Sequence, residues 1–329
     1  MEGIQLGLQR IKFPKIIEFQ TQTLCNGRCT ICPYEQVKKI IPYFRMSDEK
    51  VNLLIKELAE HKEDIERVVP YLNNEPFLDK RCISILRRLK KNHFIELSTN
   101  ASLLSKEVAE TIVNEKLVDD FRIIFFGFFF FCGTKESYSR LMRGLQFEKV
   151  VENIQYFLAI NRRNINTQIT MILLPWLDMK KSIEEVKNLF PNENIVTFGY
   201  LDRAGNNKIF RNNLCMYEKD KIKLCGCNLE RPFERMCIMS NGNVILCSQD
   251  WKNEIVQGNI FETSISEVWN SNESINIKKM VKGEVESSDN FLCKRCKLAK
   301  IKVEDRMVLN FAGDKYMDEW DRKRYEYKD

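Results

Sequence analysis

Cys25, Cys29 and Cys32 form a C-x3-C-x2-C loop directly behind the apolar run 15–22. Three thiolates can hold three irons of a 4Fe-4S cube and leave the fourth open to a ligand, whereas complete electron-transfer cubes take four cysteines. The open iron is the chemistry this spacing offers. A zinc knuckle groups cysteines in a similar way, so what lies further along the chain decides between the two.

A second group stands near the other end. Cys227, Gly242 and Cys247 read as C-x14-G-x4-C, and after a long gap Cys293 and Cys296 add C-x2-C. Four thiolates can close around one complete 4Fe-4S cube, and the same four would satisfy a structural zinc ion. Asn241-Gly242, between the strand-like runs 236–239 and 244–247, is a strong hairpin signal that would bring the first pair together.

The elements that must position these groups are legible in the periodicity. Strand-like runs at 16–22, 67–72, 94–98, 121–126, 167–173 and 195–200 alternate with helical patterns at 47–62, 80–91, 105–115, 147–161 and 179–189. Ser47 and Asp48 are placed to cap the first helix. Six β-α repeats predict a parallel sheet with helices outside, with its chemistry in the loops at the C-terminal strand ends. The polar motifs fall in those loops: Asn73-Asn74-Glu75-Pro76 after the second strand, Ser98-Thr99-Asn100 after the third, Asp202-Arg203-Ala204-Gly205-Asn206 after the sixth. Beyond Asn206 the alternation stops and cysteine density rises.

Composition narrows the class. The 329 residues, 44% hydrophobic, suffice for one large domain and a small one. The net charge of +6 is spread along the chain with no basic block, so no nucleic-acid partner is expected. The twelve cysteines are grouped and the first fifteen residues lack a signal-peptide core, which points to metal in a cytoplasmic protein rather than disulfides in a secreted one. The most apolar stretch, 121–132, contains Arg122 and is too short for a membrane span, so no membrane partner is expected.

On the cysteine triad and the order of the loops after it, the chain resembles the radical S-adenosylmethionine (SAM) superfamily. The resemblance implies a partial (β/α)6 TIM-like barrel over 1–206, whose triad cluster chelates SAM and generates a 5′-deoxyadenosyl radical. It further implies that Glu75 accepts the SAM ammonium within a motif whose usual glycines are here Asn73 and Asn74. Asparagine enters left-handed conformations more readily than other non-glycine residues. Ser98 and Asn100 match the ribose position, and Arg203, with Gly205 and Asn206, a signature bordering the active site. Ile31 departs from the aromatic residue many relatives carry before the last cysteine of the triad.

Residues 207–300 resemble the SPASM and Twitch auxiliary domains, a small α+β unit, including Gly258-Asn259-Ile260 and Val268-Trp269-Asn270. No cysteine follows Cys296, so the shortened Twitch form fits: one auxiliary 4Fe-4S cluster on Cys227, Cys247, Cys293 and Cys296. Residues 301–329 read as a charged tail. The expected activity is that of an oxidoreductase acting on a small-molecule alcohol, sugar or cyclitol, like deoxy-scyllo-inosamine dehydrogenases, with flavodoxin or ferredoxin as electron donor.

Asp250, just past Cys247, is the candidate base, or else a brace for its turn, and Asp202 is a second candidate. His61 and His93 sit on predicted helix ends away from the site. A radical epimerase would need a cysteine hydrogen donor, for which Cys237 is the candidate, with Cys225 and Cys215 beside it in sequence. Modification of a ribosomal peptide is a further alternative, although little length is left for a leader-recognition domain. Outside enzymes, an iron-sulfur or zinc protein that only binds a partner stays open. The aromatic run 128–131 reads as core or pocket lining.

Overall fold

The computed structural model describes residues 12–125, 135–173, 179–199, 203–207, 222–303 and 306–309. The first half alternates as the periodicity predicts: β1 (Ile16–Phe19), α1 (Tyr34–Val37), α2 (Asp48–Glu60), β2 (Arg67–Val69), α3 (Cys82–Leu89), β3 (Glu96–Thr99) and α4 (Lys106–Asn114). It continues with β4 (Asp120–Ile124), α5 (Lys135–Leu141), α6 (Phe147–Asn161), β5 (Asn166–Leu173), α7 (Met179–Leu189) and β6 (Ile195–Gly199). All pairings from β3 to β6 are parallel, β1 pairs with β2 in parallel, and a bridge from Val68 to Ile95 joins the two arrays.

The helices form where they do for local reasons. In α2, Val51, Leu54, Ile55 and Leu58 make one buried stripe. Ser47 caps that helix by accepting from the Lys50 N–H at 3.2 Å, and Asp48 falls inside its first turn. In α6 the same spacing buries Val150, Ile154 and Phe157, while Asn153 in that stripe is satisfied by donating to the Ala101 carbonyl at 2.8 Å. The short helices α1 and α5 were not foreseen. The aromatic run 128–131 that precedes α5 lies outside the described residues.

The second half consists of β7 (Ile222–Cys227), α8 (Arg231–Glu234), β8 (Arg235–Ile238), β9 (Asn243–Ile245), β10 (Val256–Asn259), α9 (Ile265–Asn270), α10 (Asn272–Lys282), β11 (Ala299–Val303) and β12 (Arg306–Leu309). The expected hairpin is β8–β9. Gly242 turns it at φ +89°, where a Cβ would stand 2.3 Å from the Asn259 side-chain oxygen.

This half does not stand apart. β8 pairs in parallel with β1, giving a sheet of order β10-β9-β8-β1-β2. Met236, Ile238, Val244, Ile265, Val268 and Trp269 join the barrel core. A separate core around Ile222, Leu224, Leu246, Leu292 and Ile301 encloses the second cysteine group. The sequence boundary at 300/301 falls inside β11, which pairs with β7 and β12. The segment read as a charged tail therefore opens with strand, and residues 310–329 lie outside the description.

Candidate active site and iron-sulfur centres

Cys25, Cys29 and Cys32 sit on the loop after β1, held from several sides. The Cys25 N–H donates to the Tyr34 hydroxyl at 2.9 Å, the Arg28 N–H to the Arg143 carbonyl at 2.7 Å, and the Thr30 N–H to the Leu141 carbonyl at 2.9 Å. Gly144, at φ +84°, permits the approach from α5, since a Cβ there would lie 3.0 Å from the Asn26 carbonyl oxygen. The thiols are free and partly exposed. Burial, then the negative charge of Glu75, pushes the Cys25 thiol up to about 12.

A cavity of about 320 Å³ opens beside the triad, at the C-terminal ends of the strands. Its walls contain Cys25, Cys29 and Cys32 together with Asn73, Asn74, Glu75, Ser98, Asn100 and Arg203, so the fold gathers these into one space, while Gly205 and Asn206 of the last motif do not line it. Ile31 lies there too.

Glu75 is 2% exposed. Its carboxylate accepts from the Thr99 hydroxyl at 2.7 Å, the Asn100 N–H at 2.9 Å and the Phe77 N–H at 3.3 Å. Burial pushes it up to about 7 despite those donors. A carboxylate held this way suits a cationic ligand, whose charge would keep it ionised.

The motif around it departs from expectation. Neither Asn73 nor Asn74 has a positive φ; the Asn73 N–H donates to Gln20 Oε1 at 3.0 Å, and Asn74 Oδ1 accepts from the Leu72 N–H at 3.1 Å. Side-chain hydrogen bonds shape this turn, and left-handed backbone does not. Asn100 is also occupied: it donates to Asn26 Oδ1 at 3.0 Å and accepts from the Ser102 N–H at 3.0 Å, tying the third-strand loop to the cysteine loop. Ser98 bonds the Tyr71 hydroxyl. Arg203, Ala204 and Gly205 are three successive left-handed residues, which turn the chain while Arg203 borders the cavity.

In the second group Cys227, Cys247, Cys293 and Cys296 are free and buried, and Cys293 feels the charges of the other three. Burial pushes Cys247 up to about 12, against the pull of the Gln249 N–H. Sulfur after sulfur faces the N–H two residues on: Cys25 that of Gly27, Cys32 that of Tyr34, Cys227 that of Leu229, Cys247 that of Gln249, and Cys296 that of Leu298 at 3.4 Å. Such donors favour the thiolate, and thiolates buried this deeply need a bound cationic centre. The donor sets therefore fit iron-sulfur clusters. Among the described residues no three Cys, His, Asp or Glu converge as tightly as one metal ion requires.

Two sequence expectations require correction. Asp250 is fully buried, and both carboxylate oxygens are taken, by the N–H groups of Glu254 and Ile255 at 2.9 Å each. It braces its loop and does not face the cavity. Cys237 is 1% exposed on β8 and directs its thiol at Glu18 Oε2, 3.2 Å away, outside the cavity walls. Asp202 and Cys215 lie outside the described residues. His61 bonds Asp64 and stacks on Phe13, and His93 is buried; neither lines the cavity.

Sequence reasoning missed Tyr71, Arg122, Thr170, Arg231 and Trp251 in the cavity wall. Arg122 did carry a signal, a lone charge in an apolar strand. It is held by Glu96 at 3.2 Å, and Glu96 and Asp120 in turn hold the buried Arg67.

The chain belongs to the radical SAM superfamily, whose family model matches residues 19–199, and an iron-sulfur cluster-binding SPASM domain matches residues 225–297. Its cofactors are accordingly a 4Fe-4S cluster with SAM in the barrel and iron-sulfur in the SPASM region. Over 66 residues it is 36% identical to the S-adenosyl-L-methionine-dependent 2-deoxy-scyllo-inosamine dehydrogenase of Niallia circulans. That match spans 20% of this chain and about a quarter (26%) of the relative.

In fold the chain is similar to BtrN in complex with AdoMet and 2-DOIA, with TM-score 0.57, 19% identity, and 89% of this chain and 98% of that one covered. It is also similar to Streptococcus suis SuiB bound to precursor peptide SuiA, with TM-score 0.61, 15% identity and coverage of 87% and 70%. A third likeness is to anSMEcpe with bound AdoMet and Kp18Cys peptide, with TM-score 0.59, 16% identity and coverage of 90% and 92%. Among the described residues no helix is long and apolar enough to cross a membrane.

Proposed function

We propose that the chain is a radical SAM oxidoreductase that dehydrogenates a small alcohol, sugar or cyclitol, with Cys25, Cys29 and Cys32 holding the SAM-binding cluster and Cys227, Cys247, Cys293 and Cys296 holding one auxiliary 4Fe-4S cluster. The observation that carries it is the shared wall: Arg231 and Trp251, from the auxiliary region, close the same cavity that the triad and Glu75 open onto. When bound, the two clusters and SAM supply a hydrogen-abstracting 5′-deoxyadenosyl radical and an acceptor for the electron left on the substrate. The partial likeness to a dehydrogenase of a hydroxylated ring supports the substrate class.

The chain's own residues bind and orient. Glu75, fixed by Thr99, Asn100 and Phe77, would pair with the SAM ammonium beside Asn73 and Asn74; Ser98 and Asn100 would lie on the ribose side, and Arg203 would border the reacting end. Ile31 and Ile124 supply apolar wall that limits water. Flavodoxin or ferredoxin is the electron donor in this reading. A peptide substrate is the second reading, favoured by the peptides held by two proteins of this fold.

The test is iron and sulfide analysis of the anaerobically reconstituted protein beside the Cys25→Ala, Cys29→Ala, Cys32→Ala triple variant. About eight irons falling to about four is expected, with 5′-deoxyadenosine formed only by the wild type. About four irons falling to none, with zinc retained, would overturn the auxiliary cluster. Assays in deuterated solvent then separate outcomes: a ketone supports dehydrogenation, and deuterium at carbon supports epimerisation.

A further inference from the structure

Arg231 touches both sites. Its backbone N–H points at the Cys227 sulfur, and its guanidinium donates to the Ser248 hydroxyl at 2.7 Å, one residue beyond Cys247. The same guanidinium stands 3.9 Å from Glu18 Oε1, and Glu18 also receives Arg235 at 2.8 Å. Cys247 and Cys237 feel its charge as well. The side chain is 17% exposed, and what it exposes forms part of the barrel cavity wall alongside Trp251 and Tyr71. It is thus a cation fixed at two points between the auxiliary thiols and the reaction space.

We propose that Arg231 is a positioning residue that sets the potential of the auxiliary cluster and makes it the preferred electron acceptor for an oxygen-bearing substrate radical. The inference rests on the cluster assignment above. In the step concerned, a carbon radical bearing a hydroxyl loses the hydroxyl proton to solvent and its unpaired electron to the auxiliary 4Fe-4S cluster, and the C–O bond becomes a carbonyl. The cluster gains one negative charge. A nearby fixed cation stabilises that reduced state more than the oxidised one, because Coulomb attraction grows with the charge and is weakly screened in a buried site. The part of the guanidinium that is exposed lines the cavity in which a substrate oxygen would shed its proton. Arginine suits this role because it stays protonated at every working pH and its planar fork serves two acceptors at once.

The experiment is a redox titration followed by electron paramagnetic resonance in the Cys25→Ala, Cys29→Ala, Cys32→Ala background, where only the auxiliary cluster gives a signal. Arg231→Gln should lower the midpoint by a tenfold change in the reduced-to-oxidised ratio, about 59 mV for one electron, with iron content unchanged. Arg231→Lys should restore most of it, which a purely structural role would not predict. Equal midpoints for Arg231→Gln and the parent, at equal iron, would overturn the inference while leaving the cluster assignment intact. A background variant without iron would overturn both. If Arg231→Gln loses its iron, Ser248→Ala decides, since it keeps the charge but releases its anchor: a smaller shift in the same direction supports the proposal, and none overturns it.

Discussion

The two cysteine groups share donor chemistry but differ in enclosure. The barrel thiols ride on a loop, partly exposed, and open onto a cavity with Glu75 in its wall. The auxiliary thiols are 6–8% exposed inside a core of their own, held by strand β7, the β8–β9 hairpin and the C-x2-C turn. A set of three that faces a cavity leaves a coordination position for a reactant, whereas a set of four sealed in apolar packing can only exchange electrons. What differs is therefore solvent access and ligand number.

The sharpest break is to empty one site at a time. Cys247→Ala should reduce iron from about eight to about four per chain and remove oxidised product, while reductive cleavage of SAM continues. The barrel triple variant should lose both reactions and keep its auxiliary iron. Chemical iron analysis and chromatography of 5′-deoxyadenosine and product read this out, and if either loss emptied the other site, the two would not be independent.

Next in size is the charged floor of the barrel. Arg67→Met removes the guanidinium that Glu96 and Asp120 share, leaving Glu96 to Arg122 and Asp120 to Asn166, at a cost of about 3–5 kcal/mol, measurable by urea denaturation of the iron-free protein. Burial pushes the Glu96 carboxyl up, but Arg122 and Arg67 hold it below the usual range. Its stabilising contribution is therefore complete above its unfolded value of 4.5 and is lost as pH falls through the lower folded value. Acid titration of stability should be steeper for the wild type than for Arg67→Met.

A smaller effect distinguishes the open site as one built for a ligand. Glu75→Gln should weaken SAM binding about 10- to 100-fold, the worth of a charged hydrogen bond of roughly 1.5–3 kcal/mol, with iron unchanged by analysis. Wild-type affinity should fall as pH drops through about 7, where Glu75 takes up a proton, and the variant should be flat. Equilibrium binding from pH 6 to 8 checks both.

The smallest concerns the sealed site. Asp250→Asn loses part of the loop brace on Glu254 and Ile255 and should cost about 1–2 kcal/mol, without altering how rate depends on pH. Full stability with abolished turnover would return Asp250 to the chemistry.

The barrel helices were legible because amphipathic stripes such as that of α2 carry their own period, and the hairpin at Gly242 because its turn demands a positive φ. The cysteine spacings and the strand-end loops were legible for a similar reason, being short-range patterns that chemistry constrains. For Asp250 the brace, not the base, is what the fold realises, and Cys237 turns away from the cavity, because nearness in sequence to a cysteine of the auxiliary group says nothing of direction: one side chain folds back on its own loop, and the other points from β8 to Glu18 on β1.

By itself the sequence determined the cysteines, their grouping into three and four, and the β-α alternation that puts the first group at the strand ends. Only the tertiary structure decided that β8 extends the barrel sheet from β1, that the auxiliary core and the barrel core are neighbours, and that Arg231 and Trp251 complete a cavity built mostly by the other half. Contacts between residues some two hundred positions apart, such as Arg235 with Glu18, leave no local periodicity to read. They arise from burying two apolar faces against each other, which fixes the partners of the polar groups trapped between them.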